Sequence, residues 1–331
     1  MADAFKKLIS GKIIYFFVTI ILLSAGWFGR ELYASRINNS IDSPHRLKGY
    51  EYISPLISCD IHENMPNAIF RPIENAVQST IAARETAGDV LHVGVYFRDL
   101  NSSRWVGVNE NDLFWPASLM KVPTLIGVLK AVQKDPSVLQ KKFQYSDVKD
   151  ENEGEHFKAA QTLSVGHSYA VDEMLSYMIQ YSDNDATVQL AKIFGQQELL
   201  DVYADANIPF PQNNEVKDYM SPKSISYFFR LLYNASYVNR EYSQSALQLL
   251  TTTDFTEGLR AGVPDSVPVA HKFGEQTIGD ERELHDCGIV YLRDHPYSIC
   301  LMTKGKDFDR QVATIADISR VVYSEAEKIL K

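Results

Sequence analysis

Three short clusters carry side chains that could do chemistry. Ser118-Leu119-Met120-Lys121 sets a hydroxyl and an amine three residues apart. On a helix such a pair shares one face, with Cβ atoms about 5–6 Å apart. A serine at a helix N-terminus also meets unpaired backbone N–H groups, which favour developing negative charge. An amine held neutral there can take the serine proton. The same spacing recurs at Ser146 and Lys149, in an acidic polar stretch that suggests no function. Ser118 is set apart by context, a strand-to-helix junction leading into an apolar helix. Ser182-Asp183-Asn184 is the second cluster; alone, it reads as a helix cap or Asx turn. The third is His271-Lys272-Phe273-Gly274 on a strand-like stretch, where a glycine would let a ligand backbone approach.

These clusters need a scaffold, and periodicity supplies one. Pro72 opens a helical pattern through Ile73, Val77 and Ile81 that ends near Gly88. Residues 91–98 and 103–109 alternate as strands, with a turn at Asn101 and Ser102. A third apolar piece, Leu113 to Trp115, stops at Pro116. From Val122 to about Gly262 the pattern is mostly helical. Gly195 closes one helix, and Ser221-Pro222 opens another as N-cap and first residue. Strands return at 267–273, 287–292 and 297–303, the last two joined by a turn over Asp294, His295 and Pro296. A final helix spans about Phe308 to Leu330. The economical architecture is α+β: one mainly antiparallel sheet built from both chain ends, flanked by helices, with an all-helical lobe inserted.

Composition narrows the function classes. The 331 residues include 33 Lys plus Arg and 42 Asp plus Glu, a net charge of −9 that argues against nucleic acid. Three cysteines, Cys59, Cys287 and Cys300, are too few for a disulfide scaffold and lack the close Cys/His spacing of a zinc site. Cys59, Asp60, His62 and Glu63 are adjacent residues, which rarely converge on one metal. The expected hairpin register sets Cys300 opposite Ile289, so no disulfide is expected. Residues 13–28, IIYFFVTIILLSAGWF, form an apolar run at the short end of a bilayer span. Lys6, Lys7 and Lys12 before it leave the N-terminus, residues 1–12, in the cytoplasm. The run is read as an uncleaved single-pass anchor bounded by Lys12 and Arg30, with a cleaved signal peptide as the alternative, and both put the rest of the chain outside the cytoplasm. Residues 34–48 read as a polar tether, 49–69 as an uncharacterised extension, and 70–331 as the main domain.

Each cluster is weak alone, but together and in order they resemble the class A β-lactamases and penicillin-binding proteins. FWPASLMKVP, LSYMIQYSDNDATVQLAKIFG, GLRAGVPDSVPVAHKFGE and CGIVYL look like family text in family order, over roughly residues 70 to 330. The resemblance implies a β-lactamase/transpeptidase-like fold and a serine hydrolase needing no metal or other cofactor. Ser118 would be the nucleophile and Lys121 its base. Lys272 would place a second cation near Lys121 and attract the substrate carboxylate. Ser182 would shuttle a proton to the leaving nitrogen. Asn184 would orient Lys121 and bind the substrate amide. Gly274 belongs to the substrate strand, and the backbone N–H groups of Ser118 and Glu275 would form the oxyanion hole. The implied substrates are β-lactams or cell-wall peptide amides.

Two departures bear on turnover. The Glu-x-x-x-Asn element that supplies the deacylating base in class A enzymes has no counterpart in 204–222, ADANIPFPQNNEVKDYMSP. Asp205, Glu215 and Asp218 are the acids there, and Glu215 is the first candidate for a relocated base. The hydroxyl residue usual between the lysine and glycine is Phe273, which removes a donor to a substrate carboxylate. Slow deacylation is therefore expected. A D-alanyl-D-alanine peptidase, an esterase and a non-catalytic sensor of β-lactams or cell-wall fragments are the alternatives on the same scaffold. His271 is expected to point away from Lys272 by strand alternation and to be structural.

Overall fold

The computed structural model describes residues 46–56, 68–211 and 216–330. The apolar run at 13–28, the group from Cys59 to Glu63, and Glu215 lie outside the described residues. Among the described residues no helix is long and apolar enough to cross a membrane.

A five-stranded antiparallel sheet forms the frame. Its strands are β1 (His92–Asp99), β2 (Trp105–Val108), β5 (Val269–Ile278), β6 (Glu281–Val290) and β7 (Tyr297–Gly305), in the order β2-β1-β7-β6-β5. Both chain ends thus build one sheet. Alternation divides its side chains. Val93, Val95, Phe97, Ile299 and Leu301 pack under α1 (Arg71–Thr86) and the terminal helix α8 (Phe308–Ile329). Ala270, Cys287, Ile289, Cys300 and Met302 face the inserted lobe.

That lobe holds α2 (Lys121–Val132), α3 (Val171–Gln180), α4 (Asn184–Phe194), α5 (Gln197–Asp205), α6 (Pro222–Tyr233) and α7 (Arg240–Leu250). It is helical apart from one short pair, β3 (Lys142–Gln144) with β4 (Ser168–Ala170). The Ser221 side chain accepts from Ser224 N, with Pro222 at the first helical position of α6. Gly195, at φ 80°, ends α4 by taking a backbone conformation that costs a side-chain-bearing residue more.

The structure corrects the expected register between β6 and β7. Cys287 lies opposite Cys300 and is disulfide-bonded to it, while Ile289 faces Ser298. The cause is the connection. The turn closes with His295 N donating to Leu292 O and Asp294 at φ 59°, while Tyr291 N, bonded to Pro268 O, continues the pairing of β6 with β5. The turn therefore centres one residue earlier than the Asp294–Pro296 expectation, which moves every cross-strand pair by two.

Strand β6 also starts at Glu281, ahead of the apolar run at 287–292, because its first half is charged. Of these residues Glu283, His285 and Asp286 are buried, and each has a polar partner. Glu283 Oε1 lies 3.3 Å from Lys304 Nζ, and Glu283 Oε2 lies 3.4 Å from His285 Nε2. The lysine and histidine hold the Glu283 carboxyl below its usual pKa, although burial opposes them. Glu283 accepts from Trp115 N (3.2 Å), and His285 Nε2 lies 2.8 Å from Trp115 O. The segment before Ser118 is thereby pinned to the sheet. It is not a strand: Phe114 makes only an isolated bridge to Met220.

Residues 46–56 clasp the lobe. Arg46 donates to Ser54 O and Asn234 Oδ1, Ser54 N donates to Tyr233 O, and Ile53 is buried. The clasp therefore includes Arg46, which the sequence pattern assigns to the tether.

Candidate active site

Ser118 stands on a short 3-10 turn, Ala117–Met120, that runs directly into α2. Ala117 before it has φ 47°, and Ser182 has φ 60°. Left-handed backbone at residues other than glycine costs about 1–3 kcal/mol and persists only where the surroundings enforce it. At Ser182 the enforcing residue is Asp183, which is fully buried. Its carboxylate caps α4 at Asp185 N (3.0 Å) and accepts from Asn152 Nδ2 (2.9 Å) and Leu163 N (3.0 Å). Burial raises the Asp183 pKa, and these three donors restrain the rise. The Ser182-Asp183-Asn184 cluster is thus a cap, as its composition suggests, and also a positioning device.

Lys121 is the hub. Its Nζ lies 2.6 Å from Ser182 O, 2.6 Å from Asn184 Oδ1, 2.9 Å from Ser118 Oγ and 3.1 Å from Ser182 Oγ. A neutral amine has two N–H bonds and one lone pair. The two shortest contacts go to groups that can only accept, and they use both N–H bonds. The lone pair is left for a hydroxyl, and Ser118 Oγ is the nearer one. Burial pushes the Lys121 pKa down to about 7, against the opposing pull of Glu155, Asp183 and Glu275. A large neutral fraction at pH 7 follows.

Lys272 is fully buried on β5. Its Nζ donates to Phe273 O (3.1 Å) and sits 4.2 Å from the centroid of the Phe273 ring. Burial first, and then the Lys121 charge, hold its pKa well below the ordinary lysine value. This refines the expected role of Lys272. Burial is the largest influence on both amines, and any repulsion between them acts on both alike. Phe273 has a packing reason to replace a hydroxyl residue: its ring stacks on Phe255 (4.3 Å) beside Phe157 (5.9 Å). His271 lies on that same face, its Nδ1 2.8 Å from Asp286 Oδ1 and both residues buried.

Gly274 has a different use from the one its sequence context suggests. A Cβ there would stand 2.9 Å from Ser118 N, 3.0 Å from Leu119 N and 3.0 Å from Pro116 O. The missing side chain lets edge strand β5 press against the turn that carries Ser118. The backbone it admits is the protein's own.

Two carboxylates at the site are not marked by any sequence motif. Glu155 accepts from Asn184 Nδ2 (2.9 Å). Glu275 accepts from His156 N (3.0 Å) and Phe157 N (2.7 Å), which ties the 151–157 loop to β5. Burial pushes the Glu275 pKa up to about 7; the two N–H donors oppose this and neighbouring Glu155 adds to it. The available signal is the run of acids from Asp147 to Glu155 ahead of Ser182, which looks like an ordinary solvated loop. Of the acids at 204–222, Asp205 accepts from Tyr237 OH and Asp218 pairs with Lys304.

A family model described as the beta-lactamase enzyme family matches residues 72–326. The chain belongs to that family. It is a serine hydrolase of the β-lactamase type. PBP-A is similar in structure at 23% identity and a TM-score of 0.66, over 80% of this chain and 98% of that one. A β-lactamase from Sphaerobacter thermophilus DSM 20745 is similar at 20% identity and 0.66, over 77% and 98%. A class A β-lactamase from Mycobacterium abscessus is similar at 19% and 0.64, over 75% and 98%. No curated protein matches the chain. The structural likenesses carry the β-lactamase/transpeptidase-like fold. The local chemistry of this member of the β-lactamase family rests on its own residues.

Proposed function

We propose that this enzyme forms an acyl-enzyme through Ser118 on β-lactams or related cell-wall peptide amides, and that deacylation is its slow step. The observation that carries the reading is the Lys121 amine, 2.9 Å from Ser118 Oγ with its N–H bonds already engaged. Lys121 takes the Ser118 proton as Oγ attacks the carbonyl carbon. The N–H groups of Ser118 and Glu275 receive the developing oxyanion, each donor worth on the order of 10²–10³ in rate. The C–N bond then breaks, and the proton passes from Lys121 through Ser182 Oγ to the leaving nitrogen. Lys272 receives the substrate carboxylate, whose charge restores the ammonium form that burial disfavours. Asn184 holds Lys121 through its Oδ1, while its Nδ2 is engaged by Glu151 O and Glu155 and would have to leave them to bind the substrate amide.

Deacylation lacks the usual glutamate in 204–222, and a missing general base removes about 10²–10⁴ in rate. A single-residue mutant of PBP-A has been described as an acyl-enzyme complex with penicillin G; an acyl-enzyme that persists is the state proposed here. Stopped-flow hydrolysis of a chromogenic cephalosporin tests the reading. A burst of one equivalent followed by slow turnover is expected. Fast turnover without a burst would contradict slow deacylation, and its loss in Glu215→Gln with acylation intact would name Glu215 as the base.

We also propose that the 13–28 segment, as an anchor or a cleaved signal, places the enzyme outside the cytoplasm. The flanking lysines support this, and the Cys287–Cys300 disulfide suits an oxidising compartment. Membrane fractionation with protease added from outside tests it: cleavage of the domain in intact cells is expected, and full protection would contradict it.

A further inference from the structure

The cavity at Ser118 does not end at the catalytic residues. It has a volume of about 360 Å³ and runs from Ser118 and Lys121 between α2 and α4 to the start of α5. Helical spacing explains its walls. On α2, Lys121, Thr124 and Val128 share one face. On α4, Asn184, Thr187, Ala191 and Phe194 share another. Each helix therefore carries a polar catalytic residue at one end of a stripe and small or apolar residues further along. Leu199 closes the far end. Glu198 beside it lies 3.5 Å from Lys134, just past the end of α2. The opposite side of Ser118 is different. There Ser182, Phe157, Ala159 and Phe273 enclose only about 10 Å³.

We propose that the α2–α4 cavity is a subsite for an unbranched apolar acyl group, so that the enzyme accepts medium-chain acyl esters or amides. The inference rests on the acyl-enzyme reading above. Ser182 delivers the proton to the leaving atom, so the leaving group departs past Ser182 toward solvent and does not enter the α2–α4 cavity. Among the described residues, the α2–α4 cavity, entered past Asn184, then offers the acyl substituent room. At about 30 Å³ per small heavy-atom unit, the volume of water in the liquid, the whole cavity, its catalytic end included, holds roughly a dozen heavy atoms, enough for the reacting group and a short chain. The reaction balances with water as co-reactant. Ser118 Oγ bonds to the acyl carbon, the bond to the leaving oxygen or nitrogen breaks, and the serine proton travels through Lys121 and Ser182 to that atom. Water later cleaves the ester and releases the acid.

The test uses the enzyme with p-nitrophenyl acetate, butyrate and hexanoate, reading the acylation burst and the intact mass of the adduct. A buried methylene is worth about 0.8 kcal/mol, or about fourfold in rate constant per carbon. Acylation should therefore rise by about 200-fold or more from acetate to hexanoate. Ala191→Phe, which blocks the channel, should cut the hexanoate-to-acetate ratio at least tenfold. The wild-type series decides the question even if that variant does not fold. A flat or falling series, with Ser118 still acylated by acetate or by penicillin, overturns the subsite and leaves the acyl-enzyme standing. No adduct from any ester or from penicillin overturns the acyl-enzyme reading, and the subsite with it.

Discussion

Replacing Gly274 by alanine should damage the reaction through geometry alone, without touching any side chain that does chemistry. The new Cβ would meet three backbone atoms of the Ser118 turn at 2.9, 3.0 and 3.0 Å. Carbon contacts settle near 3.5 Å, so β5 and the turn must part by about 0.5 Å. None of the three atoms belongs to a side chain that can swing aside. The Ser118 turn is also held from behind, because Trp115 is bonded through both its N–H and its carbonyl to Glu283 and His285. The displacement therefore falls mainly on edge strand β5, which carries the Glu275 N–H. A misplacement of about 1 Å costs about 10²-fold in rate, so half of that costs about tenfold. Overpacking of this kind costs about 1–3 kcal/mol of stability, which a thermal melt will show as a loss of several degrees. Stopped-flow acylation by a chromogenic cephalosporin, at a temperature where the variant is fully folded, isolates the rate effect. An unchanged acylation rate in Gly274→Ala would refute the claim that the approach of β5 to the Ser118 turn sets the reactive geometry.

Other outcomes follow from the same site. The Lys121 amine has a pKa of about 7 and is competent only when neutral, so acylation should rise with pH through about 7 and then level off; a flat profile from pH 5.5 to 9 would remove Lys121 as the base. Glu155 pulls that pKa upward, so Glu155→Gln should move the rising limb to lower pH, and an unmoved limb would show that Glu155 does not act on Lys121. The Cys287–Cys300 bridge closes a loop of sequence separation 13. Its removal in Cys287→Ala/Cys300→Ala should cost about 3 kcal/mol, or roughly 6–12 °C in Tm. Equal Tm values with and without the bridge would contradict that.

What is legible in the sequence follows from periodicity and from rigid local rules. Ile73, Val77 and Ile81 form one apolar face on a helix, whereas on a strand they would share it with polar Asn75 and Ser79, and Ser221-Pro222 can open α6 because a cap and a fixed φ are local properties. The three motif clusters are readable because each lies on one short element. What escapes depends on partners distant in the chain. The first half of β6 looks too charged for a central strand until Lys304 and Trp115 are seen to pair with its buried residues. The Cys287–Cys300 register turns on where the β6–β7 connection closes, between Leu292 and His295, since a shift of one residue there moves every cross-strand pair by two. Glu155 and Glu275 reach the site from a loop and from the residue after a recognised motif, and both look like solvated acids. The clasp of residues 46–56 is invisible because its hydrogen bonds run to α7 and the end of α6, almost two hundred residues away.

The Ser118–Lys121 assignment is tested most directly by which atom is acylated. Intact-mass analysis of the enzyme after brief incubation with penicillin G, followed by peptide mapping, measures it. The prediction is one adduct per chain, located on Ser118, absent from Ser118→Ala and formed far more slowly in Lys121→Ala. An adduct that persists in Ser118→Ala, or that maps to Ser146 or to Ser182, would contradict the assignment of the Ser118–Lys121 pair as nucleophile and base.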